Sequence, residues 1–200
     1  MGLRHSYTLL APLYDAVVGS ASGAMRRASL ARLDPAPGRC VLLAGVGTGL
    51  DLPLLPPGPL YLGVDLTPAM LARARRRAAE RDDVALVCGD AMRLPCAGAC
   101  FDAVVMHLIL AVVPQPERAL AEAARVLKPG GRILMLDKFL RPGQRAPLRR
   151  LLSPLLARIA TRTDVVFEHV LAAVPELAVR EDEPVQPGGW FRRIVLDKAA

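Results

Sequence analysis

A glycine turn between two apolar runs constrains this chain more than any other feature. Residues 41–49 (VLLAGVGTG) are typical of a buried strand followed by three alternating glycines, and a second apolar run, residues 61–64, ends in Asp65. The glycines remove side chains where a ligand has to lie against the backbone, and an acid after the second strand is placed to accept both hydroxyls of a ribose. The pairing predicts a ligand that contains adenosine.

The spacing of the glycines separates two kinds of adenosine ligand. A dinucleotide fingerprint, G-x-G-x-x-G, would put its third glycine at position 50, where this chain has Leu50. The pattern here, G-x-G-x-G, favours a wider turn that holds S-adenosylmethionine and needs no helix N-terminus facing a pyrophosphate. Glycine triplets also occur in plain turns, and Asp65 at the expected distance is what distinguishes this one from them.

Length and composition predict one domain with an aliphatic core. The chain has 200 residues, and only 4% of them are aromatic, so the core has to be built from Leu, Val and Ala. No apolar run reaches the roughly 18–20 residues of a membrane span. The first residues lack the apolar region and cleavage site of a signal peptide, which predicts a cytoplasmic protein.

The charge is positive and uneven. The net charge of +7 comes mostly from arginine, which fits either an anionic partner or a codon bias toward arginine. Residues 141–162 carry six arginines and no acid, interleaved with leucines. This basic amphipathic segment leaves two interpretations open, peripheral contact with a membrane surface or a lid over an acceptor pocket.

The four cysteines predict neither a disulfide framework nor a metal site. Disulfides are rare in a cytoplasmic chain of this size. Cys96 and Cys100 have a C-x-x-x-C spacing, which is at most half of a metal site. Cys40 and Cys88 lie beside apolar runs, where we expect a free thiol to pack as a small hydrophobic group.

Strand and helix patterns alternate along the chain. After a helical stretch at residues 6–33, the pattern predicts strands at 40–44, 61–64, 85–88, 102–108 and 132–136, helices at 67–81 and 116–126, a turn at 128–131, and closing strands near 177–184 and 190–197. The prediction is an α/β, Rossmann-like, doubly wound and mainly parallel seven-stranded sheet. The last two strands have no helix between them, which predicts an antiparallel hairpin at the C-terminal edge.

Beyond the glycine turn, ordered motifs resemble the class I S-adenosylmethionine-dependent methyltransferases over nearly the whole length. The matching segments are residues 41–49, 61–65 (YLGVD), 67–75 (TPAMLARAR), 89–95 (GDAMRLP), 101–105 (FDAVV) and 125–131 (RVLKPGG). Within the class, residues 45–54 (GVGTGLDLPL) look most like the soluble bacterial phosphatidylethanolamine N-methyltransferases. The ubiquinone and menaquinone C-methyltransferases are the nearest rival.

The resemblance implies a division of the single domain, residues 1–200, and a set of contacts with S-adenosyl-L-methionine. It implies an N-terminal helical cap (1–37), a cofactor-binding core (38–138), a basic helical lid (139–170) and C-terminal strands (171–200). The implied cofactor contacts are Tyr14, Gly45, Val46, Gly47, Thr48, Gly49, Asp65, Leu66, Met70, Asp90, Ala91, Met92 and His107. Asp65 would bind the ribose, Asp90 the adenine amino group, and Tyr14 would fold over the cofactor.

Two sites near the strand ends leave alternatives open. His107 is the implied catalytic residue at the tip of the fourth strand, either as a base that takes a proton from the acceptor or as a histidine that only shapes the pocket. Asp137 and Lys138 follow the fifth strand, where acceptor sites form in open parallel sheets, and are equally well explained as a salt-bridged pair. Glu168 and His169 are expected on a solvated helix face.

One position departs from the family pattern. An acid usually stands two residues before the first glycine and orients the amino group of the cofactor, and this chain has Leu43 there. We expect its consequences in cofactor affinity, in an unusual acceptor or in lost activity.

Three functions follow as hypotheses. The first is methyl transfer to a lipid-like or small-molecule acceptor, with a phospholipid amine as a candidate. The second is methylation of a quinone or another small molecule on carbon or oxygen, and the third is a non-catalytic S-adenosylmethionine-binding protein. A nucleic-acid acceptor is disfavoured because the chain lacks the Asn/Asp-Pro-Pro-aromatic motif and offers few aromatic side chains for base stacking.

Overall fold

Seven strands and four α-helices make up the described chain, which is residues 22–144, 164–185 and 191–200 of a computed structural model. The strands are β1 (Cys40–Ala44), β2 (Leu60–Asp65), β3 (Val84–Cys88), β4 (Phe101–His107), β5 (Leu127–Asp137), β6 (Leu177–Pro184) and β7 (Arg192–Lys198). The helices are α1 (residues 22–30), α2 (Pro68–Arg77), α3 (Pro116–Val126) and α4 (Phe167–Leu171), with a 3-10 helix at Leu52–Leu54.

The strands form one mixed sheet in the order β3-β2-β1-β4-β5-β7-β6. The first five strands pair in parallel, and β7 pairs antiparallel with both β5 and β6. The order of the strands reverses between β1 and β4, and a crevice forms at such a switch point beyond the carboxyl ends of the strands. The predicted Rossmann-like sheet and its antiparallel C-terminal edge are confirmed.

Alternating side chains of the central strands supply a core on each face of the sheet. Leu42 and Val104 face one side, in a cluster that includes residues of α3 and α4. Leu43 and Val105 face the other side, in a cluster with Leu30 of α1 and residues of α2. Leu43 pairs with Val105 in the sheet register, and two residues further on come Gly45 and His107. The apolar core of this second face therefore ends where the glycine turn and His107 begin.

The end of α2 and the start of β5 differ from the boundaries that the sequence patterns predict. Helix α2 ends at Arg77 rather than near residue 81. The turn predicted at residues 128–131 lies inside β5, where Phe101 pairs with Leu127 and Ala103 with Arg132, so those four residues of β5 face Asp102 alone. The strand absorbs them as a register shift, and Lys128 closes it with an ion pair of 2.9 Å to Asp102.

Two expectations about single side chains are wrong. Cys88 is exposed rather than packed, because β3 is an edge strand of the sheet. Glu168 is half-buried and forms an ion pair of 2.8 Å with the buried Arg192, so only His169 of that pair lies on a solvated face.

Several expectations lie outside the described residues. They are the helix at residues 6–21, Tyr14, and most of the basic segment, residues 145–162. Leu140, which follows the end of β5, donates its N–H to the carbonyl of Val165 over 2.8 Å, so the described residues on the two sides of this gap lie together. The four-part division of the domain stays a prediction. Within the described ranges, no helix is both long and apolar enough to cross a membrane.

Candidate functional site

A cavity opens beyond the carboxyl ends of β1, β2 and β4, at the switch point of the sheet. Most of the residues implied as cofactor contacts line it. These are Gly45, Val46, Gly47, Thr48, Asp65, Leu66, Met70, Asp90, Ala91, Met92 and His107. Segments that are far apart in sequence therefore meet around one space.

The glycine turn is built by backbone hydrogen bonds to β2. The N–H groups of Gly45 and Val46 both donate to the carbonyl of Val64, at 2.8 and 3.0 Å. Gly47 has a φ of +57°, and a Cβ on it would meet no atom within 4 Å. The missing side chain of Gly47 therefore leaves open space on the cavity wall, which is the cradle that a ligand needs.

Gly49 has a different part in the turn. It does not line the cavity, and a Cβ on it would lie 2.8 Å from Leu52 Cδ1 and 3.0 Å from Ala74 Cα. Its φ of +83° also favours glycine. Gly49 allows the turn to pack closely against α2, and the structure does not bring it to the cofactor-facing wall.

Asp65 joins the end of β2 to the glycine turn. Its Oδ2 accepts from the N–H of Gly47 at 2.9 Å, and its Oδ1 accepts from the N–H of Thr67 at 2.9 Å. Burial raises the pKa of the Asp65 carboxyl above its ordinary value, and these two hydrogen bonds oppose the rise only in part. Each carboxylate oxygen has further lone pairs for hydroxyl donors at the cavity.

Asp90 organises the next segment of the wall. Its Oδ1 accepts from the N–H of Met92 at 2.8 Å, which closes a local turn and presents Ala91 and Met92 to the cavity. This segment is tied to α3, because Glu122 accepts from the N–H of Leu94 at 2.8 Å and Arg125 donates to the carbonyl of Leu94 at 3.2 Å.

His107 lies within a buried polar network. Its Nδ1 is 2.9 Å from Asp51 Oδ1 and its Nε2 is 2.9 Å from Ser29 Oγ. The other oxygen of Asp51 accepts from Arg26 Nη1 at 2.7 Å, and Arg26 Nε donates to Ser22 Oγ at 3.0 Å. Helix α1 supplies two serines and an arginine, and together with Asp51 they surround the tip of β4.

The charges in this network fix its proton positions. Burial by itself raises the pKa of the Asp51 carboxyl, but His107 and Arg26 outweigh it and hold that pKa well below its ordinary value. Asp51 is therefore a carboxylate that accepts from both neighbours, which places a proton on Nδ1 of His107. In a neutral imidazole Nε2 then accepts from the Ser29 hydroxyl.

The Ser29–His107–Asp51 connection has the order of a nucleophilic triad, but its surroundings do not suit that chemistry. Ser29 is buried and is not a residue of the cavity wall. Both ring nitrogens of His107 are engaged by side chains of the protein. The geometry therefore favours the interpretation that His107 shapes the pocket over the one in which it takes a proton from an acceptor.

One part of the wall is apolar. It is formed by the loop that follows β4, and its members are Ile109, Val112, Val113 and Pro114. A Cβ on Gly45 would lie 2.6 Å from Ile109 Cδ1, so this apolar wall lies directly against the start of the glycine turn. The cavity thus has a polar part at Asp65 and Asp90 and an apolar part at the β4 loop.

Asp137 holds the backbone of the β4 loop, which forms this apolar wall, by a hydrogen bond. It is buried, and its oxygens accept from the N–H groups of Ala111 at 3.0 Å and Lys138 at 2.8 Å. Burial raises the pKa of the Asp137 carboxyl. The ammonium of Lys138 lies 5.7 Å from the ring centre of Phe191. Neither Asp137 nor Lys138 lines the cavity, and Asp137 acts on the β4 loop through its hydrogen bond with Ala111.

Leu43, the departure from the family pattern, is buried among the leucines of the core facing α1. It does not line the cavity. At this position the strand is therefore part of the packed core and offers no charge to a ligand.

The sequence missed Arg26, Ser29 and Asp51. Asp51 carried a usable signal, because it is a single acid in the apolar and proline-containing run of residues 50–57, where a charge has to find a buried partner. Arg26 carried none, since arginines also occur on α2 and α3. Ser29 carried none, since a single serine in a helix does not indicate a buried polar network.

Comparisons with known proteins agree with the fold and identify the family. A family model described as a methyltransferase domain matches residues 42–135. A phosphatidylethanolamine N-methyltransferase of Cereibacter sphaeroides is 37% identical over 183 residues, which cover 90% of this chain and 89% of that protein. A demethylmenaquinone methyltransferase of Tropheryma whipplei is 33% identical over 159 residues, 76% of this chain and 65% of that protein.

A solved structure supports the fold independently. The geranyl diphosphate C-methyltransferase of Streptomyces coelicolor A3(2), in complex with Mg²⁺, geranyl-S-thiolodiphosphate and S-adenosyl-L-homocysteine, has a TM-score of 0.71. It is 19% identical, with 90% of this chain and 76% of that chain covered. At this identity it shows a shared fold and says nothing of an acceptor.

The chain belongs to the S-adenosylmethionine-dependent methyltransferases. Identity above 30% over most of both proteins establishes the family, and the sheet order and the cavity at its switch point agree with it. The names of these two relatives point to different acceptors, a phospholipid amine and a quinone. The class is therefore confirmed and the acceptor is not.

Proposed function

We propose that this protein transfers a methyl group from S-adenosylmethionine to the nitrogen of an amphiphilic amine, with a phospholipid amine as the candidate acceptor. The observation that carries the proposal is the division of the cavity wall into a polar part at Asp65 and Asp90 and an apolar part at the β4 loop. An adenosine ligand fits the polar part, and hydrocarbon next to a reacting group fits the apolar part. The relative that spans most of both chains is named for such an acceptor.

The residues present fit the cofactor. The open space at Gly47 accommodates a ligand that lies against the backbone. Asp65 would accept from the ribose hydroxyls, and Asp90 would accept from the adenine amino group. Leu66 and Met92 supply apolar side chains for the adenine ring. When bound, S-adenosylmethionine supplies a methyl group on a positively charged sulfur, which is already activated toward a nucleophile.

The protein then has to orient the acceptor and exclude water. Ile109, Val112 and Val113 do this by packing against the apolar neighbourhood of the acceptor atom. An ethanolamine amine has to lose one proton to solvent before its lone pair attacks the methyl carbon, but this step needs no strong base. This suits a wall on which Asp65 already accepts from backbone N–H groups and both ring nitrogens of His107 are engaged by Asp51 and Ser29. A phenol or carbon nucleophile needs a positioned general base to remove its proton.

Matched acceptors test the proposal. The purified protein is incubated with methyl-deuterated S-adenosylmethionine and vesicles of phosphatidylethanolamine, which has chains and an amine, or of phosphatidylglycerol, which has chains and no amine. Free phosphoethanolamine supplies the amine without chains. We expect N-methylated phosphatidylethanolamine by mass spectrometry, little product from phosphoethanolamine and none from phosphatidylglycerol. Intact cofactor binding without methylated phosphatidylethanolamine would refute the amine acceptor.

A quinone acceptor is the second candidate, because the demethylmenaquinone methyltransferase relative matches 76% of this chain. The same assay with demethylmenaquinone in the vesicles distinguishes it, since the label then appears in the quinone fraction. The third hypothesis is a binding protein without activity, and it rests on Leu43, which stands where the family usually has an acid. It predicts calorimetric binding of S-adenosylmethionine and no labelled product from any acceptor.

A further inference from the structure

Arg26 is a buried cation on the wall of the cavity. Its Nε donates to Ser22 and its Nη1 donates to Asp51. Within the described residues, no acceptor is found for its other terminal nitrogen, Nη2. Arginine offers five donors in a planar fork, so part of the fork is still available at the cavity.

The surrounding charges leave this fork suited to an anion. Asp51 is shared, because one oxygen binds Arg26 and the other binds His107. A guanidinium held in place by one carboxylate and a serine is well positioned to bind a second carboxylate, and such charge-assisted hydrogen bonds are among the strongest in proteins. Arg26 shares the network with His107, which also lines the cavity beside the glycine turn.

This chain lacks the acid that the family usually has two residues before the first glycine, where it would orient the amino group of the cofactor. Leu43 is buried in the core, so the end of β1 offers no acid to an ammonium group. The amino-acid end of the cofactor has both an ammonium and a carboxylate. Asp65 and Asp90 on this wall are assigned to the ribose and the adenine, so the charged group that is left for the amino-acid end is the cation of Arg26, which selects the carboxylate.

We propose that Arg26 binds the carboxylate at the amino-acid end of S-adenosylmethionine, while Ser22 and Asp51 hold its guanidinium in position. This inference rests on the proposed function, because it assumes that the cavity binds this cofactor. It makes the carboxylate, rather than the ammonium, the main anchor of the amino-acid end in this chain.

A matched pair of ligands tests the inference by calorimetry. S-adenosylmethionine and its decarboxylated form share the adenosine, the sulfonium and the amine, and they differ in the carboxylate. The wild type should bind S-adenosylmethionine about tenfold or more tightly than the decarboxylated form. Arg26→Gln should lose this preference by weakening only the first ligand. Arg27→Gln is the control, because Arg27 is the next residue of α1 and is exposed.

Other outcomes would overturn the inference. A wild type that binds both ligands equally would contradict it without any variant, and so would Arg26→Gln that retains the preference. Equal weakening of both ligands in Arg26→Gln would show that Arg26 only supports the structure. If that variant does not fold, Arg26→Lys, which keeps the charge and loses the fork, should show a reduced preference; an unchanged one would refute the inference. A folded wild type that binds neither ligand would refute the proposed function as well.

Discussion

At the scale of single residues, Asp65 links cofactor affinity to pH. Its carboxylate form is the one that accepts from ribose hydroxyls, and burial raises its pKa above 3.8. The affinity for S-adenosylhomocysteine should therefore decrease as the pH falls through this raised pKa, earlier than for an ordinary aspartate. Asp65→Asn should bind about tenfold more weakly at neutral pH and lose this pH dependence. Calorimetric titrations over a pH series measure both effects.

The control for this prediction is Asp82→Asn, because Asp82 is exposed in the turn that precedes β3. It should behave as the wild type at every pH. An Asp65→Asn variant with unchanged affinity would show that the ribose is held elsewhere.

His107 gives a second prediction at this scale. Because Asp51 and Ser29 engage both ring nitrogens, His107→Gln should lower activity while the pH–rate profile keeps the shape of the wild type. If His107 instead took a proton from the acceptor, the acidic limb of the kcat/KM profile would depend on it and would disappear in the variant. His169→Gln, at an exposed site on α4, controls for loss of an unrelated histidine.

At the scale of secondary structure elements, Gly49 determines how the glycine turn packs on α2. Gly49→Ala adds a Cβ at 2.8 Å from Leu52 and 3.0 Å from Ala74, in a backbone conformation that disfavours a side chain. Gly38→Ala adds a Cβ at a similar φ of +82° into open space. Both variants should lose stability, and Gly49→Ala should lose about 1–3 kcal/mol more than Gly38→Ala, which urea denaturation can measure. Equal losses would mean that backbone conformation alone explains Gly49.

Helix α3 holds the segment that carries Asp90. Arg125 donates to the carbonyls of Leu94 and Cys96, whereas Arg118 of the same helix reaches only Gln115 among the described partners. Arg125→Ala should therefore weaken binding of S-adenosylhomocysteine by several-fold, about 1 kcal/mol, and Arg118→Ala should not. Matching affinities for the two variants would show that the segment does not need this support.

At the scale of the whole molecule, local patterns predicted the sheet and much of the cavity wall. The apolar runs and the glycine spacing are short-range signals, and β1 was predicted from residue 40 to residue 44 as observed. The network around His107 was not predictable in this way. Its hydrogen bonds join residues that are 25, 56 and 78 positions apart, so only the packing of α1 and of the Asp51 loop against the tip of β4 brings them together.

The positions of the strand ends were harder to predict for a related reason. Residues 128–131 have turn composition, but Leu127 before them and Arg132 after them both pair with β4, so β5 continues through them as a register shift. At the site, Leu43 is a second example of a feature whose surroundings could not be predicted from local sequence patterns. The sequence identified it as a missing acid, whereas its burial against α1 and the cation on the neighbouring wall became visible only in three dimensions.

Calorimetric titration of the wild type with S-adenosylhomocysteine and, separately, with NAD tests the central claim most directly. The claim is that the cavity at the switch point of the sheet is an S-adenosylmethionine site, as the G-x-G-x-G turn and Asp65 predict. We expect saturable binding of S-adenosylhomocysteine with one site per chain and no binding of NAD. Folded protein that takes up NAD, or that shows no heat with S-adenosylhomocysteine, would contradict it.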